Sequence, residues 1–143
     1  MIRLATVEDI PAIAAMGAHF IETEYPGAIR FDAERLGTLT RSLIEGAGVV
    51  FVVEQDGALV GMMALTTYTH PMNGDPIATE IVWWIQPEAR GGRAALQLFK
   101  AGETWARAQG ATQFQMIAPS DKVGAFYERL GFTKIETHYQ RAL

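Results

Sequence analysis

The segment from Gly91 to Gln109 carries two apolar stripes side by side. Ala94, Leu98, Ala101, Trp105 and Ala108 recur at helical spacing, and Ala95, Phe99, Gly102 and Ala106 form a second row beside them. Gln97, Lys100, Glu103 and Arg107 mark the opposite, wetted side. A helix with so broad an apolar band must lie flat on an equally broad apolar surface, and a β-sheet supplies one. The chain has the strands for it. Val49–Val53 is a β-branched and aromatic run, Asp56-Gly57 is a strong hairpin signal, and Leu59–Tyr68 is the returning strand. Thr79–Ile85 and Gln113–Ile117 read as further strands on either side of the helix.

The remaining elements follow from their punctuation. Ile2–Ala5 reads as a short first strand. Thr6 with Asp9 forms a weak capping-box signature for a helix carrying Ile10, Ile13, Ala14 and Met16, and Pro11 fits there only in the first turn. Glu24–Arg30 is a loop; Asp32 caps a second helix with Leu36, Leu39 and Leu43 on one face, stopped by Gly46 and Gly48. His70–Pro76 is rich in turn residues. Ser120 or Asp121 caps a helix running to Leu130, Gly131 ends it, and Phe132–Tyr139 is expected to form a last strand. The order β-α-α-β-β-β-α-β-α-β implies antiparallel hairpins followed by a βαβ unit around one mixed sheet, in one domain spanning residues 1–143.

Composition narrows the function classes. The net charge of −4 argues against a phosphate-backbone binder, so nucleic acid is not an expected partner. There is no cysteine, hence no disulfide framework, thiolate metal site or cysteine nucleophile. The three histidines show no metal-ligand spacing with the carboxylates, and no Ser-His-Asp arrangement is legible. No apolar run reaches membrane-spanning length and the N-terminus lacks signal-peptide character, so a cytoplasmic protein without membrane partners is expected.

The junction from Ile81 to Leu96 is the richest in chemistry. A strand enters a short loop containing Gly91-Gly92 and passes straight into the long helix. The first N–H groups of that helix lack internal partners, and with the macrodipole they favour an anion. Glycines let the backbone come close to a ligand, and such junctions cradle phosphates. Arg90 and Arg93 add formal charge there, although a tight turn with two solvated arginines has the same sequence. Neither Walker nor G-x-G-x-x-G spacing is present.

Ile85-Gln86-Pro87-Glu88-Ala89-Arg90-Gly91-Gly92-Arg93-Ala94-Ala95 resembles the pyrophosphate loop of the GNAT superfamily of acyl-CoA N-acyltransferases, V-x-P-x-x-R/Q-x-x-G-x-G/A. Arg93 stands at the penultimate glycine, and Gly92 falls one position early. Ser120–Phe132, SDKVGAFYERLGF, is similar to the second motif, N-x-x-A-x-x-F/L-Y-x-K/R-x-G-F, with Ser120 for asparagine and Val123 for alanine. Leu4-Ala5-Thr6 with Asp9, and Asp56-Gly57 followed by Val60-Gly61, extend the likeness over essentially the whole chain. The resemblance implies an α/β (α+β) GNAT fold, with a mostly antiparallel sheet of roughly six to seven strands flanked by about four helices. It also implies acetyl-CoA as co-substrate, an amine acceptor (small molecule, peptide or protein), and in many members a homodimer.

Transfer to an amine needs a neutral nucleophile, and stripping a lysine-like ammonium at pH 7 costs about 4–5 kcal/mol. A positioned group must take that proton. Glu80, a carboxylate at the start of an apolar strand, is the candidate base or water-holder, a place where many GNAT enzymes carry a glutamate. Strict alternation puts Glu80, Val82 and Trp84 on one face and Ile81, Trp83 and Ile85 on the other, a phase that a bulge would change. The resemblance makes Tyr127 the acid for the departing thiolate. It assigns the cofactor to Trp84, Ile85, Arg90, Gly91, Gly92, Arg93, Ala94, Ala95, Ser120, Lys122 and Tyr127. Of Trp83 and Trp84 at most one lines the site and the other is core. His19 and His70 are weaker candidates for a base. The acceptor region implied by the family, His19–Arg41 with Tyr68–Pro76, is mildly acidic through Glu22, Glu24, Asp32 and Glu34. The altered glycine keeps two other readings open: an acyl-CoA-binding protein without turnover, and a structural or interaction protein on the same scaffold.

Overall fold

The computed structural model describes all residues from Met1 to Leu143. Asp56 and Gly57 both take positive φ, +52° and +77°, as a two-residue hairpin turn demands. They join β2 (Gly48–Gln55) to β3 (Ala58–Thr69). β1 (Ile2–Leu4) pairs antiparallel with β2, and β3 pairs antiparallel with β4 (Pro76–Ile85). β5 (Gln113–Gln115) adds parallel to β4, giving a five-stranded sheet in the order β1-β2-β3-β4-β5.

Four α-helices cover the sheet: α1 (Ile10–Glu24), α2 (Ala33–Ser42), α3 (Ala94–Ala108) and α4 (Asp121–Arg129). On one face Ile13 and Met16 of α1 pack on Val50, Val52, Met62, Ala64, Val82 and Trp84. On the other, Leu98 of α3 packs on Val49, Val53, Met63, Leu65 and Ile85. The seam between the two sequence stripes of α3 is its most buried line: Leu98, Gly102 and Ala106. At Gly102 α3 lies close on the sheet, since a Cβ there would lie 2.8 Å from Met63 Sδ. Asp32 caps α2 by accepting from Arg35 N at 2.9 Å, and Pro11 sits in the first turn of α1. No helix is long and apolar enough to cross a membrane.

Three expectations are corrected. The Thr6/Asp9 pair opens a 3-10 turn at Val7–Asp9 that precedes α1, with Thr6 N donating to Asp9 Oδ2 at 2.7 Å. α3 begins at Ala94, three residues later than the glycine pair suggested. The expected strand at Phe132–Tyr139 is absent, so the sheet has five strands and not six or seven. Its apolar residues Phe132, Ile135 and Tyr139 are spaced by three and four, so no period of two presents one face to a sheet. Ile135 and Tyr139 are 84% and 89% exposed.

Candidate active site

β4 and β5 share a ladder only from Ile77–Thr79 to Gln113–Gln115. β4 then continues to Ile85 paired with β3 alone, and we call the unpaired edge it leaves beyond β5 the cleft. Register with β3 shifts at the head of this cleft: Ala64 faces Val82 and Leu65 faces Glu80, so Ile81 is the extra residue of a bulge. The bulge reverses the phase expected from alternation. Glu80 shares a face with Leu65, Trp83 and Ile85, while Val82 and Trp84 face α1. Gln86 N donates to Val60 O, so alternate residues Trp84 and Val82 turn their backbone polar groups toward β3, and Trp83 and Ile85 turn theirs toward the cleft.

Glu80 fills the place where the β4–β5 ladder stops. Its Oε2 accepts from Ile117 N at 3.1 Å, and the Tyr127 hydroxyl, with one hydrogen to give, has two acceptors in reach: Glu80 Oε2 at 3.3 Å and Ile117 O at 3.0 Å. Tyr127 comes from α4, and its ring stacks on Trp83 with centroids 5.7 Å apart and planes 5° from parallel. Glu80 is 5% exposed and Tyr127 7%. Burial disfavours both charged forms. It raises Glu80 from 4.5 to about 7, against the opposing pull of its two hydrogen bonds. It pushes the Tyr127 phenol far above 10, helped by the neighbouring Glu80 charge. A carboxyl raised toward neutrality thus touches a phenol that stays protonated, two titrations set far apart within one buried contact. The end of α1 joins the same environment: burial, then the charges of Glu80 and Glu24, raise the Tyr25 phenol.

The other end of the cleft is built from backbone. Gly91 takes φ +86° and makes the turn of the loop, while Arg93, at the place of the family's glycine, has φ −83°. A Cβ on Gly91 or Gly92 would meet nothing within 4 Å, so the loop surface is open. Arg93 occupies the N-cap of α3 without a side-chain cap, and the first N–H to find a partner is Gln97's, on Arg93 O at 2.9 Å. The N–H groups of Ala94, Ala95 and Leu96 therefore end at the cleft mouth with no intrahelical acceptor. This cradle suits a pyrophosphate. Arg90 folds back over it, its Nε donating to Ile85 O at 2.9 Å and its guanidinium lying 4.6 Å from the Trp84 ring centroid.

The structure thus joins Glu80 to Tyr127 at one end of the unpaired β4 edge and Ile85 to Arg90 at the other. Ser120 Oγ caps α4 by accepting from Val123 N at 3.3 Å, and Lys122 is exposed in the first turn of that helix. Trp84 is 2% exposed and packs on His19 and Phe20 of α1, so its side chain is core, whereas Trp83 backs Tyr127. His70 Nδ1 accepts from Met72 N within its own turn, and His19 Nδ1 lies 2.8 Å from Gln86 Oε1. Sequence reasoning missed Gln86 and Ile117: an amide and a backbone N–H carry no local signal of what they will meet. A separate groove of about 450 Å³ near the start of α1, lined by Arg3, Glu8, Asp9, Met16 and Gln86 among others, contains neither Glu80 nor Tyr127.

The unpaired edge of β4, with a bulge at one end and a helix N-terminus beyond the other, accords with the resemblance to acyltransferases. The model of the acetyltransferase (GNAT) family matches residues 15–132, and the chain belongs to that family. It is 29% identical over 152 residues to mycothiol acetyltransferase of Saccharomonospora viridis, covering 99% of this chain and 49% of that protein. The chain therefore spans about half the length of this curated relative. Among solved structures it is similar to a predicted acetyltransferase with acetyl-CoA from Clostridium acetobutylicum (TM-score 0.83, 15% identity, 99% and 95% of the two chains covered). It is also similar to the ribosomal-protein-alanine N-acetyltransferase of Brucella melitensis (TM-score 0.79, 19% identity, 100% and 98% covered). At such identities these likenesses show the fold.

Proposed function

We propose that this protein is an N-acetyltransferase that moves the acetyl group of acetyl-CoA to a primary amine by direct attack on the thioester. The observation that carries this reading is the buried Glu80–Tyr127 contact, made by the same strand whose end leads into the phosphate cradle. The cradle of Gly91, Gly92, Arg93, Ala94 and Ala95 fits a pyrophosphate, with Ile85 lining the pantetheine path and Ser120 and Lys122 at its rim. The outward N–H groups of Trp83 and Ile85 supply donors to carbonyl oxygens laid along β4. Glu80 takes a proton from the incoming ammonium, directly or through water. The neutral nitrogen forms a bond to the carbonyl carbon as the carbon–sulfur bond breaks. Tyr127 gives its proton to the departing thiolate, and the second proton of the attacking nitrogen passes to the Tyr127 oxygen. The amide and free CoA thus leave with Tyr127 restored and the first proton on Glu80, which releases it to water. The charges of Glu80 and Glu24 both act on Tyr25 at the end of α1, an acidic setting that suits a cationic acceptor, whether small molecule, peptide or protein. Cytoplasmic location and pairing into a homodimer belong to the same reading and await fractionation and a solution mass.

Calorimetric titration with acetyl-CoA, with ADP as control, tests the cofactor. Micromolar binding of acetyl-CoA, well above ADP, followed by amine-dependent thiol release, supports the enzyme. Binding without thiol release across amines favours the alternative to which Arg93 points, an acyl-CoA-binding protein without turnover. Absence of binding near millimolar protein leaves a scaffold with another role.

A further inference from the structure

A cluster on the α1 side of β4 takes no part in the chemistry proposed above. Gln86 Oε1 lies 2.8 Å from His19 Nδ1 and 3.2 Å from Trp84 Nε1. An indole N–H only donates, so the Gln86 atom facing it must be the oxygen, and the amide orientation is settled by its neighbour. An amide oxygen only accepts, so His19 Nδ1 must carry a hydrogen as well. Neutral His19 is therefore the Nδ1–H tautomer. His70 provides an internal contrast: its Nδ1 accepts from Met72 N at 3.2 Å, which requires the Nε2–H form when neutral.

Both bonds converge on Gln86, the residue that follows β4. Trp84 is 2% exposed, held by Gln86 at its N–H edge and by His19 and Phe20 against its ring, with centroid distances of 5.3 Å and 5.7 Å. Arg90 lies over the same ring and spends its Nε on Ile85 O. The guanidinium is thereby held by the ring beneath it and the carbonyl beside it, leaving its two terminal nitrogens to meet a ligand. We propose that His19 and Gln86 are positioning residues: they hold the Trp84 indole as a platform for Arg90, and so set affinity for the pyrophosphate-bearing cofactor without touching it. This rests on the cofactor reading above.

The test begins with uniformly ¹⁵N-labelled wild type in alkaline solution, where long-range ¹H–¹⁵N correlation distinguishes the tautomers. His19 is expected as Nδ1–H and His70 as Nε2–H, assigned by His19→Gln and His70→Gln. Next, acetyl-CoA is titrated into wild type, His19→Leu and Gln86→Leu. Both variants are expected to bind on the order of tenfold more weakly, as when one charge-assisted contact is misaligned. KM for acetyl-CoA should rise in parallel, with kcat within about twofold, because acid–base catalysis is left in place. The Trp84 indole resonance, identified by its loss in Trp84→Phe, should shift in both. His19→Gln retains an N–H donor and is expected to bind within about twofold of wild type. An Nε2–H tautomer at His19, or undiminished binding in folded His19→Leu and Gln86→Leu, would overturn the proposal. If a variant fails to fold, the wild-type tautomer decides. Failure of wild type to bind acetyl-CoA is failure of the cofactor reading, whereas undiminished binding in the variants is failure of this one alone.

Discussion

The two ends of β4 are built on opposite principles. At its upstream half, Glu80, Ile117 and Tyr127 are side chains and backbone brought together from residues 37 and 47 positions apart, buried and mutually hydrogen-bonded. At its downstream end, Gly91–Leu96 is one continuous stretch of exposed or half-buried backbone whose N–H groups lack intrahelical partners. The first end holds protons in a place that excludes water. The second holds fixed partial charges in a place that admits a ligand. Chemistry that moves a proton gains from burial, because burial moves the pKa. Anion binding by a helix N-terminus needs only local geometry and access.

The comparison breaks most sharply at Tyr127. Tyr127→Phe should lower kcat by about 10²-fold or more, the usual worth of a positioned acid. Affinity for acetyl-CoA, set at the other end, should be largely retained by calorimetry.

Glu80→Gln should lower kcat similarly or somewhat less, and it gives a second signature in pH. The Glu80 carboxyl stands at about 7 in the fold against 4.5 unexposed to such burial, so the fold favours its protonated form. Its contribution to stability is fully present below about pH 4.5 and is lost as pH rises through about 7. The variant should therefore match wild type in urea at about pH 4 and exceed it at about pH 8, by up to roughly 3 kcal/mol. In wild type the rate should rise with pH through about 7, and this limb should vanish in the variant.

The cradle end sharpens the contrast through its glycines. Gly91→Ala forces a Cβ into φ +86° and should cost roughly 1 kcal/mol with weaker acetyl-CoA binding. Gly92→Ala has neither positive φ nor a nearby atom, and its stability should stay within about 0.5 kcal/mol of wild type. Equal effects at the two positions would show that the cradle does not depend on the Gly91 turn.

The cradle was the more legible of the two ends. Its proline, arginine and glycines lie within eleven residues, and strand-turn-helix geometry follows from local preference. The Asp56-Gly57 hairpin and the two-stripe helix were legible for the same reason. The final strand was misread because β-prone residues at 132–139 lack the period that would give them a buried face. The bulge at Ile81 was equally hidden, since an extra residue in β4 is defined only against β3.

The sequence by itself determined the layered α/β plan, the helix N-terminus with its unpaired N–H groups, and the residue types available for proton transfer. Those are properties of short spans: periodicity, turn chemistry and composition. Only the tertiary structure decided that Glu80 turns toward Tyr127 and away from Trp84, that its carboxyl titrates near neutrality, and that Gln86 fixes the hydrogen of His19. Each depends on the register between strands or on the solvent removed by a distant helix, and neither quantity exists until the chain has folded.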